Sequence, residues 1–181
     1  MNQLSLWFGD GLNDCLLFRS KQGITMPPGN LTYNMSKAAL KAYTEGLEFE
    51  LGKARREENG KLKAALLVPG WTNTSIVVKS MKAKAVAKGK GDEFDPNSAF
   101  FSEEKPNKGA WMPSQVVDYM VGHLNEDKFY IICPDNECSV KLDKIRMEWT
   151  MQDIVQNRAP LSRWNPDYKD AWTKHLAEND M

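Results

Sequence analysis

The sequence predicts an α/β fold, a parallel sheet of about three strands with flanking helices. Three short apolar runs, 15–18, 62–68 and 129–133, lack the polar alternation of a half-exposed strand and suit strands buried on both faces. The long stretches between them repeat apolar or small residues at three-and-four spacing, the pattern of helices that can cross from one parallel strand to the next. Pro69-Gly70 and Pro134-Asp135-Asn136 stop the second and third runs.

The 181 residues suit one domain with room for a core. Twenty-four basic and twenty-four acidic residues cancel, so no global field draws the chain to nucleic acid or an anionic membrane surface. No apolar run approaches the ~18 to 20 residues that span a bilayer. Cys15, Cys133 and Cys138 are odd in number and fit neither a disulfide framework nor a zinc site, so reduced thiols and a cytoplasmic location are expected. The first eighteen residues lack a basic start and carry Asp10 and Asp14, unlike a signal peptide. The glycosylation-type triplets at Asn30, Asn34 and Asn73 then read as chance matches.

Taken in order, residues 1–14 show no periodicity and receive no assignment. The run Cys15-Leu16-Leu17-Phe18 delivers Ser20 at the C-terminal end of a strand, where open α/β sheets bind ligands; the ordinary alternative is a loop serine. Gly23, Pro27, Pro28 and Gly29 make 21–30 a loop. A helix is expected over 31–54, with Met35, Ala39, Ala42, Tyr43, Gly46, Leu47 and Leu51 facing inward and Glu45, Glu48, Glu50 and Lys53 mostly outward. Gly46 in its middle suggests close approach of another backbone. From 79 to 108 the composition shifts to lysines, glycines and prolines, a solvated face or a patch for an anionic substrate. Pro113 opens a helix with Val116, Val117, Met120, Val121 and Leu124 on one side and His123 near its end. A last helix is expected over 140–157 with Leu142, Ile145 and Trp149 inward, before an aromatic tail over 159–181 suited to a cover or a subunit contact.

The chemistry concentrates at Tyr33-Asn34-Met35-Ser36-Lys37. Four residues apart on a helix, Tyr33 and Lys37 share a face, about 5 to 6 Å apart at Cβ. A phenol of pKa near ~10 is a poor acid or base at neutral pH, but a neighbouring ammonium and a helix N-terminus both favour its anion. Tyr33 is thereby suited to pass a proton to or from a substrate oxygen. The competing reading of two residues at this spacing is an amphipathic helix with a solvated lysine.

Ser20, then Tyr33-x-x-x-Lys37 thirteen residues on, a helix, an apolar strand and Pro69-Gly70-x-x-x-Thr74 resemble, in order and spacing, the C-terminal half of a short-chain dehydrogenase/reductase. The resemblance covers residue 20 to the end and implies half of a Rossmann-type, doubly wound parallel sheet. It implies an oxidoreductase working with NAD or NADP on a small alcohol or carbonyl substrate. Ser20, Tyr33 and Lys37 would be the catalytic set; Tyr33, Lys37, Pro69, Gly70, Thr72 and Thr74 would hold the cofactor, Thr72 by its backbone and Thr74 by its hydroxyl. Thr74 also suits a helix N-cap, and the two roles are compatible. Residues 75–112 would be a substrate lid, with Phe94, Phe100, Phe101 and Trp111 shaping a pocket, and the helix at 31–54 a homo-oligomer interface.

The family's N-terminal half has no counterpart here. A dinucleotide needs a glycine-rich turn opening onto a helix N-terminus. Gly9 and Gly11 supply only Gly-x-Gly. The expectation is therefore a truncated enzyme, weakly active or inactive alone, or a non-catalytic module associating through the Tyr33 helix. Helices chiefly on one side of a short sheet would leave it poorly stable and prone to associate.

Overall fold

The computed structural model describes residues 14–18, 20–95 and 105–179, with 14–18 and Val77 described by backbone alone. Strand β1 (Asp14–Phe18) leads through a four-residue helix α1 (Gln22–Thr25) to the long helix α2 (Leu31–Glu57). Strand β2 (Lys63–Val68) follows, then α3 (Ile76–Ala87), α4 (Pro113–Asn125), β3 (Tyr130–Ile132), α5 (Val140–Val155) and α6 (Lys169–Asn179). The strands pair in the order β1-β2-β3, all parallel. Cys15 lies beside Ala64 and Leu67 beside Ile131. Asp14 belongs to β1, one residue inside the segment left unassigned from sequence.

Central β2 is hydrogen-bonded on both edges, so its side chains are cut off from water in both directions. Ala64 to Val68 are all buried, Leu66, Leu67 and Val68 completely. Ala65 and Leu67 pack with Ile131 and Cys133 against Val116 and Met120 of α4. Strand alternation turns Ala64, Leu66 and Val68 to the opposite face, where α2 packs along β2. Helices therefore cover both faces, not chiefly one. Among the described strands, the outer edges of β1 and β3 are unpaired.

Helix α2 turns its composition inside out. Asn34, Thr44 and Gly52 are its buried residues, while Met35 and Tyr43, expected inward, are exposed, as are Leu31 and Phe49. Glu48, expected outward, reaches the sheet: its carboxylate accepts the Ala64 N–H (2.6 Å) and pairs with Arg55. The reason lies in the neighbour. β2 offers a helix of small residues a close seat and an orphan strand N–H, and a carboxylate satisfies that donor as no apolar side chain can. A Cβ built on Gly46 meets nothing within 4 Å, so the close approach expected there is not made by any described residue.

Other expectations shift similarly. The 21–30 segment contains a helical turn, α1, rather than loop throughout. Val117 and Val121 of α4 are exposed, so its buried stripe is narrower than the sequence pattern. α3 lies in the lysine-rich stretch, and Lys79, Lys82, Lys84, Lys88 and Lys90 all stand in solvent, as the solvated-face reading has it. Trp111, assigned to a lid pocket, packs instead beside the core with Tyr119, the rings edge to face at 5.6 Å. Phe100 and Phe101 lie outside the described residues. His123 stacks on Tyr119 at 4.1 Å, in a structural role.

The tail docks on α5. The Trp149 indole N–H donates to Ser162 Oγ (2.7 Å), which donates to Asp153 (2.5 Å), and the Arg158 guanidinium lies 3.8 Å over the Trp149 ring. The Trp149, Ser162 and Asp153 polar groups thus satisfy one another where the tail covers α5. No helix of the described residues is long and apolar enough to cross a membrane.

Replacing Leu67, fully buried in the central strand, by alanine is expected to cost about 2 to 5 kcal/mol in urea unfolding, whereas exposed Leu62→Ala costs under about 1 kcal/mol. Equal costs for the two would refute the assignment of β2 as the centre of the core.

Candidate functional site

Strand parallelism sends the C-terminal ends of all three strands to one side, and each candidate residue lies on the chain just beyond one of those ends or on the helix that follows. Ser20 stands two residues after β1, and Pro69 begins the loop after β2. Tyr33 and Lys37 occupy the first two turns of α2.

Tyr33 and Lys37 do come together. The Lys37 ammonium lies 5.4 Å from the centre of the Tyr33 ring, within cation–π range. Both side chains are half-buried. Burial lowers the Lys37 pKa from its ordinary value, because a desolvated ammonium is less stable than a hydrated one.

Ser20 is held by the turn that follows it. Its carbonyl accepts the Gly23 N–H at 3.0 Å, and its hydroxyl accepts the Gln22 N–H at 3.3 Å. Gly23 then sits directly on α2: a Cβ there would fall 2.6 Å from both the carbonyl carbon and the Cβ of Lys37. Only a residue without a side chain permits that approach. The Ser20 turn is thus seated, through Gly23, against the lysine that shares a face with Tyr33, and Ser20 itself is half-buried.

The loop after β2 is drawn to the same turn. A Cβ on Gly70 would meet Lys21 Nζ at 3.0 Å, and Asp135 Oδ2 and Pro134 O at 2.7 Å. Beyond it, Thr72 bridges to Trp111 through two hydrogen bonds made by its neighbours, Trp111 N–H to Trp71 O (2.9 Å) and Asn73 N–H to Trp111 O (2.8 Å). This leaves the peptide groups of Thr72 itself facing away from Trp111. Asn73, almost fully buried, fastens the loop by donating to Asn107 O and Ala110 O and accepting the Asn107 N–H. The Thr72 hydroxyl donates to Gly70 O at 3.1 Å; the Thr74 hydroxyl receives the Ile76 N–H at 3.5 Å, a long cap at the start of α3. Pro69 and Gly70 are half-buried at the head of the loop.

Buried Asn34 and Asn73 are engaged inside the chain, Asn34 by donating to Pro27 O at 2.8 Å, so neither triplet presents an accessible amide for glycosylation.

Residues that sequence reasoning missed lie behind the loops. Lys21 pairs with Asp143, and Asp135 accepts the Trp71 N–H at 2.9 Å. Cys138 lies 3.1 Å from Asp143 Oδ1 and 2.8 Å from the Arg146 guanidinium. Burial, with the adjacent Asp143 carboxylate, pushes the Cys138 thiol up to about 11; burial pushes Cys133 up to about 12. Both thiols are thus protonated and unreactive at neutral pH. Nothing in a lysine beside a serine, or an aspartate inside a turn, announces a buried ion pair; only a charged residue on the buried stripe of the 140–157 helix pattern, Asp143, was a visible signal. Among the described residues, no group of three or more His, Cys, Asp or Glu side chains is arranged to hold a metal ion.

An apolar groove of about 650 Å³ opens on another flank of α2, lined by Met26, Pro27, Leu31, Asn34, Met35 and Leu161 among others. It shares no lining residue with the candidate set.

Comparison of the chain with protein-family models, with curated proteins and with solved structures finds no match.

Gly23→Ala is expected to push α1 off α2 and lower thermal stability, by roughly 1 to 3 kcal/mol for an overpacked contact. Gly46→Ala, in open space on the same helix, is expected to stabilise by up to about 1 kcal/mol. A stable Gly23→Ala variant would show that the Ser20 turn is not seated on Lys37.

Proposed function

We propose that this chain is an NAD(P)-dependent oxidoreductase of the short-chain dehydrogenase/reductase type, acting on a small alcohol or ketone within a Rossmann-type doubly wound sheet. One observation carries the reading: the glycine of the Ser20 turn rests on the backbone of Lys37, whose ammonium lies over the ring of Tyr33. The Ser20 turn and the helix bearing Tyr33 and Lys37 follow the C-terminal end of a parallel strand, the usual place for ligands in open α/β folds, which supports the reading.

In this reading Tyr33 is the acid and base. During reduction its hydroxyl gives a proton to the substrate oxygen, and during oxidation the phenolate takes it back. Lys37 holds the nicotinamide ribose, and Ser20 hydrogen-bonds the substrate oxygen. The nicotinamide, when bound, supplies or accepts the hydride. The outward-facing peptide of Thr72 suits an amide-bearing ring, and the hydroxyl of Thr74, weakly engaged at 3.5 Å, is available to a stronger partner. The pyrophosphate end has no matching glycine-rich turn in this sequence, so the affinity of the chain for either dinucleotide is weak.

Titration with NADH and with NADPH, followed by quenching of the tryptophans, is expected to give weak saturable binding. Tyr33→Phe is expected to reduce any carbonyl-reductase turnover by about 10²- to 10⁴-fold with little change in quenching. Retained turnover would remove Tyr33 from the acid–base role, and the absence of quenching by both dinucleotides would overturn the oxidoreductase reading.

A second reading is favoured by the outer face of α2, that of a module that pairs with another copy of itself. Leu31 (74% exposed), Met35, Tyr43 and Phe49 (67% exposed) stand in solvent on the side away from the sheet, and the apolar groove beside Leu31 and Met35 continues that surface. Ala39, Ala42 and Gly46 between them keep the stripe low enough for a second helix to lie close. Size-exclusion chromatography with light scattering is expected to give a dimer or larger species that Met35→Glu with Phe49→Glu converts to monomer; an unaltered mass would exclude α2 as the interface.

A further inference from the structure

Immediately after Ser20, Lys21 sends its side chain into the layer behind the loops. Its ammonium pairs with Asp143 of α5 and lies 3.6 Å from Asp135 Oδ2. Both carboxylates are nearly withdrawn from water, Asp143 at 2% exposure. The Asp135 oxygen nearest the ammonium also accepts the Trp71 N–H, while its other oxygen accepts the N–H groups of Glu137 (3.0 Å) and Cys138 (2.7 Å). At Gly70 the packing leaves no room for a Cβ between the ammonium, Asp135 and the Pro134 carbonyl. One cation thus connects the turn after β1, the loop after β2, the loop after β3 and helix α5.

Two buried carboxylates sharing one region are unstable without a cation, since each is desolvated and repels the other. Removing Lys21 from this set takes the nearest cation from both carboxylates and leaves Asp143 with Arg146 at 3.7 Å. Its members are placed to transmit that constraint: Lys21 is covalently next to Ser20, and Asp135 bonds the peptide that leads into Thr72 and Thr74.

We propose that Lys21, with Asp135 and Asp143, is a positioning residue: a buried ion triad that holds the Ser20 turn in register with the 69–74 loop. This deepens the oxidoreductase reading and rests on it for the meaning of the site, although the tie between the two loops is a property of the fold alone. Lys21 acts through the loops it joins.

Hydrogen exchange on the full chain, read at single amides by NMR, tests the tie. Lys21→Met is expected to speed exchange at the Trp71, Gly23 and Thr25 amides on the order of tenfold or more, with the Trp149, Asp153 and Ser162 latch of the tail unchanged. Because Lys21→Met takes the nearest cation from buried Asp143 and leaves it Arg146 at 3.7 Å, Lys21→Met with Asp143→Asn is the companion: it is expected to recover melting temperature and still leave the Trp71 amide fast. Uniform acceleration across sheet, α5 and tail, or full protection of Trp71 in the double variant, would overturn the proposal. NADPH separates this from the preceding reading. In the unaltered chain it is expected to slow exchange at Thr72 and Thr74, and in the double variant to lose that effect. Slowing that persists in the double variant counts against a positioning role. No slowing in the unaltered chain counts against the oxidoreductase reading, while the loop tie is still decided by the Trp71 amide.

Discussion

Complete burial of β2 is the constraint on which the rest of the molecule depends. A strand hydrogen-bonded along both edges, with Leu66, Leu67 and Val68 withdrawn from water, has to be covered on its two faces. Alternation divides that demand: α4 meets Ala65 and Leu67, and α2 meets the opposite face. The register of β1 and β3 on either side then decides where their C-terminal ends fall, and the Ser20 turn and the Pro134–Asp135 loop emerge flanking the loop from Pro69 to Thr74. The candidate site is a by-product of this closure, since three loops leaving one edge of a parallel sheet have nowhere else to go.

Two glycines convert that proximity into contact. Gly23 lets the turn after β1 lie on the backbone of Lys37, and Gly70 lets the loop after β2 meet an ammonium and a carboxylate. A Cβ at either place would fall 2.6 to 2.7 Å from its neighbour, so any side chain there would push the segments apart. Behind them the buried charges of Lys21, Asp135 and Asp143 give the loops a common anchor.

Helix α2 carries Tyr33 and Lys37 near its start and an exposed apolar stripe along its outer side, an unusual division of polarity. Its inner side is built of Asn34, Thr44, Glu48 and Gly52, which fit a strand at close range and satisfy its polar groups. Leu31, Met35, Tyr43 and Phe49 are left outside. A helix that spends its apolar residues on solvent has a surface that burial against a second copy would stabilise, at about 25 cal/mol per Å² removed from water.

Local pattern by itself determined the α/β class, the positions of β2, α4 and α5 to within a few residues, and the pairing of Tyr33 with Lys37, because apolar runs, breakers and four-residue helical spacing are properties of adjacent residues. Tertiary structure alone decided which side of α2 faces the sheet, since a stripe of apolar residues does not reveal that the strand beneath it needs a carboxylate. It also decided that Trp111 belongs to the core, and that Lys21 reaches two aspartates more than a hundred residues away in sequence. Periodicity records the apolar content of each face, whereas the orientation of a face and the partner of a buried charge are set by what the rest of the chain brings against them.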